Sequence, residues 1–132
     1  MNGITNFEDI DSWQLARDLN RDVYEATNSD GFATDFSLKD QIRRAAGSIM
    51  HNIAEGFGAD SNQEFIKFLG YAQRPCSEVQ SQLYVALDQA YIHETKFTEL
   101  YEKADKTGAQ VGAFIRYLKN YEAQRKTKNA KQ

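Results

Sequence analysis

The sequence has one cysteine, Cys76, and one proline, Pro75, among 132 residues. A lone thiol excludes an intrachain disulfide framework, and no charged-then-apolar leader opens the chain, so a reducing cytoplasm is the expected compartment. With a single proline and eight glycines, the chain is short of the turn residues that a sandwich of many strands needs. Long uninterrupted helices are expected instead. No apolar run approaches the roughly 18 to 20 residues of a membrane span, so the protein is expected to be soluble. His51 and His93 lie in different segments with no H-x-x-x-H spacing, so neither a metal nor a cofactor is expected. Cys76 falls on an apolar stripe without a neighbouring cation and histidine, the setting of a packed, inert thiol. The acids sit at the spacing of solvated helix faces, and no strand leads into a glycine-rich phosphate loop. A non-enzymatic protein is expected.

Basic charge is scarce as well, except in one place. Residues 1–115 hold 10 Lys+Arg against 18 Asp+Glu, a net charge of −8, whereas residues 116–132 hold six basic residues against Glu122 alone, a net of +5. An acidic body excludes a broad surface for wrapping nucleic acid, but leaves room for a local basic contact at the C-terminus.

What is present is helical periodicity. A first segment is predicted from about Asp11, read as an N-cap with Gln14, to Thr27, with Trp13, Ala16, Leu19, Val23 and Tyr24 at helical spacing. Asn28-Ser29-Asp30-Gly31 reads as a stop, and a connector then carries Phe32 and Phe36 to plug the bundle end. A second helix is predicted from a Ser37 cap to Glu55, with Gly56 in the left-handed position after it. The third opens on the capping box Ser61-Asn62-Gln63-Glu64 and carries an apolar stripe from Phe65 to Ala90, ending near Tyr91. That stripe keeps its phase through Ala72, Cys76 and Val79, so Pro75 is read as a kink within a continuing helix. The fourth starts near Thr95, with Leu100, Ala104, Val111 and Leu118 on one stripe. Four amphipathic helices with short connections predict an all-α, antiparallel up-down-up-down bundle over residues 1–124, followed by a basic, frayed tail over 125–132.

Two surplus faces are candidate sites. On the second helix Gln41, Arg44, Ser48, Asn52 and Glu55 share a polar stripe beside the core stripe of Leu38, Ile42, Ala45, Ala46, Ile49 and Ile53. It is either a buried hydrogen-bond network that holds helices in register or a face for a partner or another subunit. On the fourth helix Phe114, Tyr117 and Tyr121 are continued by Arg125 and Lys128. Tyr117, Tyr121, Arg125 and Lys128 suit stacking and phosphate contact with RNA or DNA; alternatively, the aromatics bury in a subunit interface.

The stretches Asp11-Ser12-Trp13-Gln14-Leu15-Ala16, Val23-Tyr24-Glu25-Ala26-Thr27, Gln41-Ile42-Arg43-Arg44-Ala45-Ala46, Asn52-Ile53-Ala54-Glu55-Gly56 and Glu64-Phe65-Ile66-Lys67-Phe68-Leu69 resemble the bacterial four-helix bundle proteins encoded in intervening sequences of 23S ribosomal RNA genes. The resemblance spans roughly residues 7 to 121. It implies a homo-oligomer, with a pentameric ring the favoured form, and kinship to the accessory variability determinant of diversity-generating retroelements, which binds a reverse transcriptase and nucleic acid. The function expected on these grounds is a binding module for RNA, DNA or a nucleoprotein. The alternative is a structural or protein–protein adaptor without nucleic-acid affinity.

Overall fold

The computed structural model describes residues 3–130, and every regular element among them is helical. A single 3-10 turn, Phe7–Asp9, precedes α1 (Asp11–Ala26), the short α2 (Asp30–Thr34), α3 (Phe36–Phe57), α4 (Asn62–Asp88) and α5 (Glu94–Ala130). No described helix is long and apolar enough to cross a membrane.

The four long helices run alternately up and down. Arg43 of α3 reaches Thr27 and Asn28 beyond the end of α1, and Gly56 near the end of α3 abuts Phe65 and Phe68 near the start of α4. Asn62, Gln73 and Gln80 of α4 meet Glu122, Gly108 and Asp105 of α5 in descending order. Asp22 of α1 pairs with Lys103 of α5, while Ser12 lies at the level of Gln110 and Phe114. Between them the helices bury one continuous apolar core, including Leu19, Ile42, Ile49, Ile53, Leu69, Val79, Leu83, Leu100, Val111 and Leu118.

Several helix ends differ from the sequence expectation, each for a local reason. The N-cap of α1 is Ile10, and Asp11 is its first helical residue. The preceding turn decides this: Asp9 accepts the amides of Thr5 and Asn6, and Gln14 donates its side-chain amide to the Glu8 carbonyl at 2.9 Å. Residues 30–34 form a helical turn that carries Phe32 into the core, whereas Phe36 is 71% exposed beneath Lys39 and plugs nothing. Asp35, not Ser37, caps α3 by accepting the Leu38 amide at 3.1 Å. Gly56 stays helical and buried because α4 crosses there; a Cβ on it would lie 2.8 Å from both the Phe65 ring and the Phe68 Cβ. Close approach, not backbone freedom, is what requires glycine at that position.

Ser61 caps α4 as its sequence predicts, accepting the Glu64 amide at 3.2 Å, and the helix passes through Pro75 without ending. It stops at Asp88 rather than near Tyr91. Tyr91 N–H bonds the Ala86 carbonyl and Ala90 N–H bonds that of Leu87, a Schellman ending that places Ala90 at φ +60°. Tyr91 then stacks on Phe32 and donates its hydroxyl to Asp35, which raises the tyrosine pKa above its ordinary value. Residues 125–130, predicted as a frayed tail, continue α5 as helix through Ala130; residues 131–132 of that tail lie outside the described residues.

An L-residue in the left-handed region costs about 1 kcal/mol that glycine does not pay. Ala90→Gly is therefore expected to raise the unfolding free energy by about that much, read as a higher urea midpoint at unchanged slope. A lower midpoint would show that the Ala90 side chain contributes contacts the exposed position does not suggest.

Candidate functional site

The C-terminal end of α5 runs past the rest of the bundle. Its 37 residues span about 55 Å at 1.5 Å per residue, against about 40 Å for the 27 of α4. α1 begins only at the level of Gln110 to Phe114, and α4 begins at Asn62, which touches Glu122. Beyond those levels no helix among the described residues lies beside α5. Residues 123–130 are exposed throughout, and Arg125, Lys126 and Lys128 make this projection purely basic. Cations near a helix C-terminus oppose the negative end of its dipole, which helps a projection without an apolar stripe to stay helical.

Tyr117, Tyr121, Arg125 and Lys128 do share a face of α5, on the side that α1 would occupy were it longer. Tyr117 is 51% and Tyr121 40% exposed. Phe114 is the half-buried root of this row: its ring centroid lies 5.2 Å from that of Phe65 in the core and 6.3 Å from that of Tyr117 outside it. The aromatics are thus uncovered within one chain, as a stacking or docking surface requires.

At the root of the projection Glu122 is buried. It accepts the Asn62 side-chain amide at 2.7 Å and pairs with Arg125 at 2.9 Å. The Asn62 hydrogen bond first, and Arg125 second, hold its carboxyl below the ordinary glutamate value of 4.5. A depressed folded pKa contributes stability that is present above the unfolded value and lost as pH falls through the folded one. Glu122→Gln should therefore be less stable than wild type at pH 7, with the gap closing in urea titrations run below about pH 4. A gap independent of pH would mean that the carboxylate charge is not what ties α4 to α5.

The polar stripe of α3 is not a network between helices. Gln41, Arg44 and Glu55 are exposed, and Ser48 and Asn52 half-buried. Their bonds are local: Gln41 donates to Ser37, Arg44 pairs with Asp40 one turn back at 2.9 Å, and Asn52 donates to the Ser48 carbonyl and hydroxyl. Glu55, read from sequence as needing a cation or amide from elsewhere, has no such partner among the described residues. Grooves flank the stripe on both sides, towards α1 and towards α4, and each contains a buried acceptor without a hydrogen bond, Asn20 Oδ1 in one and Gln82 Oε1 in the other. An exposed i,i+4 ion pair contributes only a few tenths of a kcal/mol. Arg44→Ala should accordingly change the unfolding free energy of the dilute chain by no more than about 0.5 kcal/mol. A loss above about 2 kcal/mol would contradict purely local pairing.

Cys76 is buried against Gly108, and desolvation pushes its thiol up to about 11, so it is not poised as a nucleophile. Among the described residues no cluster of three or more His, Cys, Asp or Glu could hold a metal. Two features escaped the sequence reading. Arg43 sits 4.2 Å over the Tyr24 ring and bonds Thr27 at 2.8 Å, which makes it the tie between α1 and α3. Ser12 is 98% buried although polar. Its signal was readable: Ser12, Ala16, Leu19 and Val23 follow the 4-3-4 spacing of a core stripe, which puts a hydroxyl in line with the apolar residues.

A crystal structure of a protein of unknown function from the S23 ribosomal protein family, from Bacteroides thetaiotaomicron, has the same fold, with a TM-score of 0.71 at 20% identity over 79% of this chain and 97% of that one. Among curated proteins none matches the chain. The family model described as 23S rRNA-intervening sequence protein matches residues 8–113, which takes in α1 to α4 and the first half of α5. The chain belongs to the 23S rRNA-intervening sequence protein family.

Proposed function

We propose that the protein is a non-enzymatic binding module that contacts single-stranded RNA or DNA through the projecting end of α5. The observation that carries this reading is the coincidence, at the one place where α5 outruns its neighbours, of uncovered Tyr117 and Tyr121 with Arg125, Lys126 and Lys128. Aromatic faces accept bases of any sequence and the cations accept phosphates. The kinship to the accessory determinant of retroelements, implied by the resemblance, points the same way. The perturbed groups favour a non-catalytic role, since Asp9, Tyr91 and Glu122 each owe their shift to a structural hydrogen bond.

Three cations per chain give weak binding, and self-association would multiply it. The uncovered stripe of Gln41, Arg44, Ser48, Asn52 and Glu55, with an unmatched acceptor on each side, supports a subunit contact there. The pentameric ring of the family resemblance would present five basic rods. The same stripe favours the second reading, an adaptor that binds a protein partner and no nucleic acid.

Retention on single-stranded RNA or DNA separates the two. Binding should be measurable near 50 mM salt and should fall with a log–log slope of roughly −2 per chain for three phosphate contacts. Deleting residues 124–132 should abolish retention while leaving the helical signal of the bundle intact, because Leu118 and Glu122 are kept. No retention of the full chain at low salt removes the nucleic-acid partner, and the adaptor reading replaces it.

A further inference from the structure

Cations are outnumbered in the body of the chain, yet one groove gathers three basic side chains. It runs between α1 and α3, has a volume of about 610 Å³, and brings Arg43, Arg44 and His51 together with a single carboxylate, Asp40. No residue of α5 lines it, so it is separate from the basic projection.

Arg43 is the fixed point of this groove. Its Nε donates to the Thr27 hydroxyl at 2.8 Å, its Nη2 donates to the Asn28 side-chain carbonyl at 3.1 Å, and the guanidinium lies 4.2 Å over the Tyr24 ring. All three partners are neutral, and among the described residues Arg43 forms no ion pair. The cation is half-buried, so water screens it only in part, and the Tyr24 face offsets part of the remainder. A guanidinium has five N–H donors in a rigid fork, and the two bonds to Thr27 and Asn28 leave the others for a ligand. A held cation without a counter-ion, lining an open groove, calls for an anion.

Arg44 can join it. Its partner is Asp40 one turn back, and the side chains of that pair are 80% and 60% exposed, so a better-matched anion displaces the carboxylate easily. Between Arg43 and His51, Gly47 leaves the floor of the groove without a side chain. A Cβ there would meet only His51 at 3.5 Å and Asn20 at 3.8 Å, both ordinary contacts, so packing does not require glycine here as it does at Gly56. The Ser48 hydroxyl accepts from Asn52 and keeps its own proton to donate. One arginine is enough to match a flat carboxylate, whereas two arginines and a hydroxyl suit the several oxygens of a phosphate. Charge agrees: Asp40 balances one arginine, and its release leaves two positive charges for a phosphate that carries close to two negative ones at neutral pH.

We propose that the groove between α1 and α3 binds a phosphate dianion, free or carried by a small phosphomonoester, with Arg43 as its anchor and Arg44 as the arm that leaves Asp40 for it. The site does not depend on the nucleic-acid reading of α5.

Titration of the isotope-labelled, full-length protein with inorganic phosphate and with ribose 5-phosphate tests this, with amide and arginine Nε signals followed by NMR at constant ionic strength. The Arg43 Nε and Gly47 amide signals should move and saturate with an affinity on the order of 1 mM, whereas acetate or chloride should leave them in place. Arg44→Gln should weaken phosphate binding about tenfold, the effect of one charge-assisted hydrogen bond. Asp40→Asn should tighten it about threefold, because Arg44 no longer has a carboxylate to leave. Both residues are exposed, so both variants should melt with the wild type, and a gain on removing Asp40 is not expected of a merely structural pair. Tighter binding of ribose 5-phosphate than of phosphate assigns the site to a phosphorylated small molecule, and equal binding assigns it to the free ion. Signals that fail to saturate, that respond equally to acetate, or that are indifferent to Arg44→Gln overturn the proposal.

Discussion

The structure depends on the unequal lengths of four antiparallel helices. A helix of 16 residues cannot cover one of 37, so a core shared by all four exists only where α1 is present. Inside that overlap every apolar stripe finds a partner, and the small residues Gly56 and Gly108 let neighbouring helices approach to side-chain contact. Outside it, α5 keeps the same periodicity with fewer surfaces to bury. The exposed tyrosines and the basic projection both lie beyond the edge of the overlap.

The two ends of the bundle are finished differently. At the end where α3 begins and α4 stops, Asp35 both caps α3 and accepts the Tyr91 hydroxyl, Phe32 fills the core beneath that ring, and Arg43 clamps α1. The contacts of Tyr91 and of Arg43 join residues far apart in sequence. At the other end Phe65 packs against Phe57 and Phe114, and the polar tie is the set Asn62, Glu122 and Arg125. The basic projection proposed as the nucleic-acid contact leaves from this second end.

The core was legible because it repeats. Leu38, Ile42, Ala46, Ile49 and Ile53 specify a buried face by spacing alone, and the phase across Pro75 showed that α4 does not break there. What could not be read depended on which helix lies opposite. Gly56 reads as a helix stop until α4 is seen crossing it, and Ser37 reads as a cap until the turn at Asp35 is known. The polar stripe was legible as a face, but its lack of cross-helix partners was not, since its exposure depends on where α1 and α4 sit. The row from Phe114 to Lys128 was found from sequence, whereas its exposure follows from where α1 begins, and the sequence reading had placed Asp11 outside the helix as its cap.

The projection of α5 also settles an electrostatic conflict within the chain. A body of net charge −8 would be expected to repel the phosphates that the basic end could attract. Residues 123–130 extend about 12 Å beyond Glu122 at 1.5 Å per residue, while the screening length at physiological ionic strength is about 8 Å. The tip of the rod therefore lies farther from the acidic body than ions in solution let that charge be felt. At low ionic strength the screening length grows to about 30 Å and the tip falls back within the field of its own bundle.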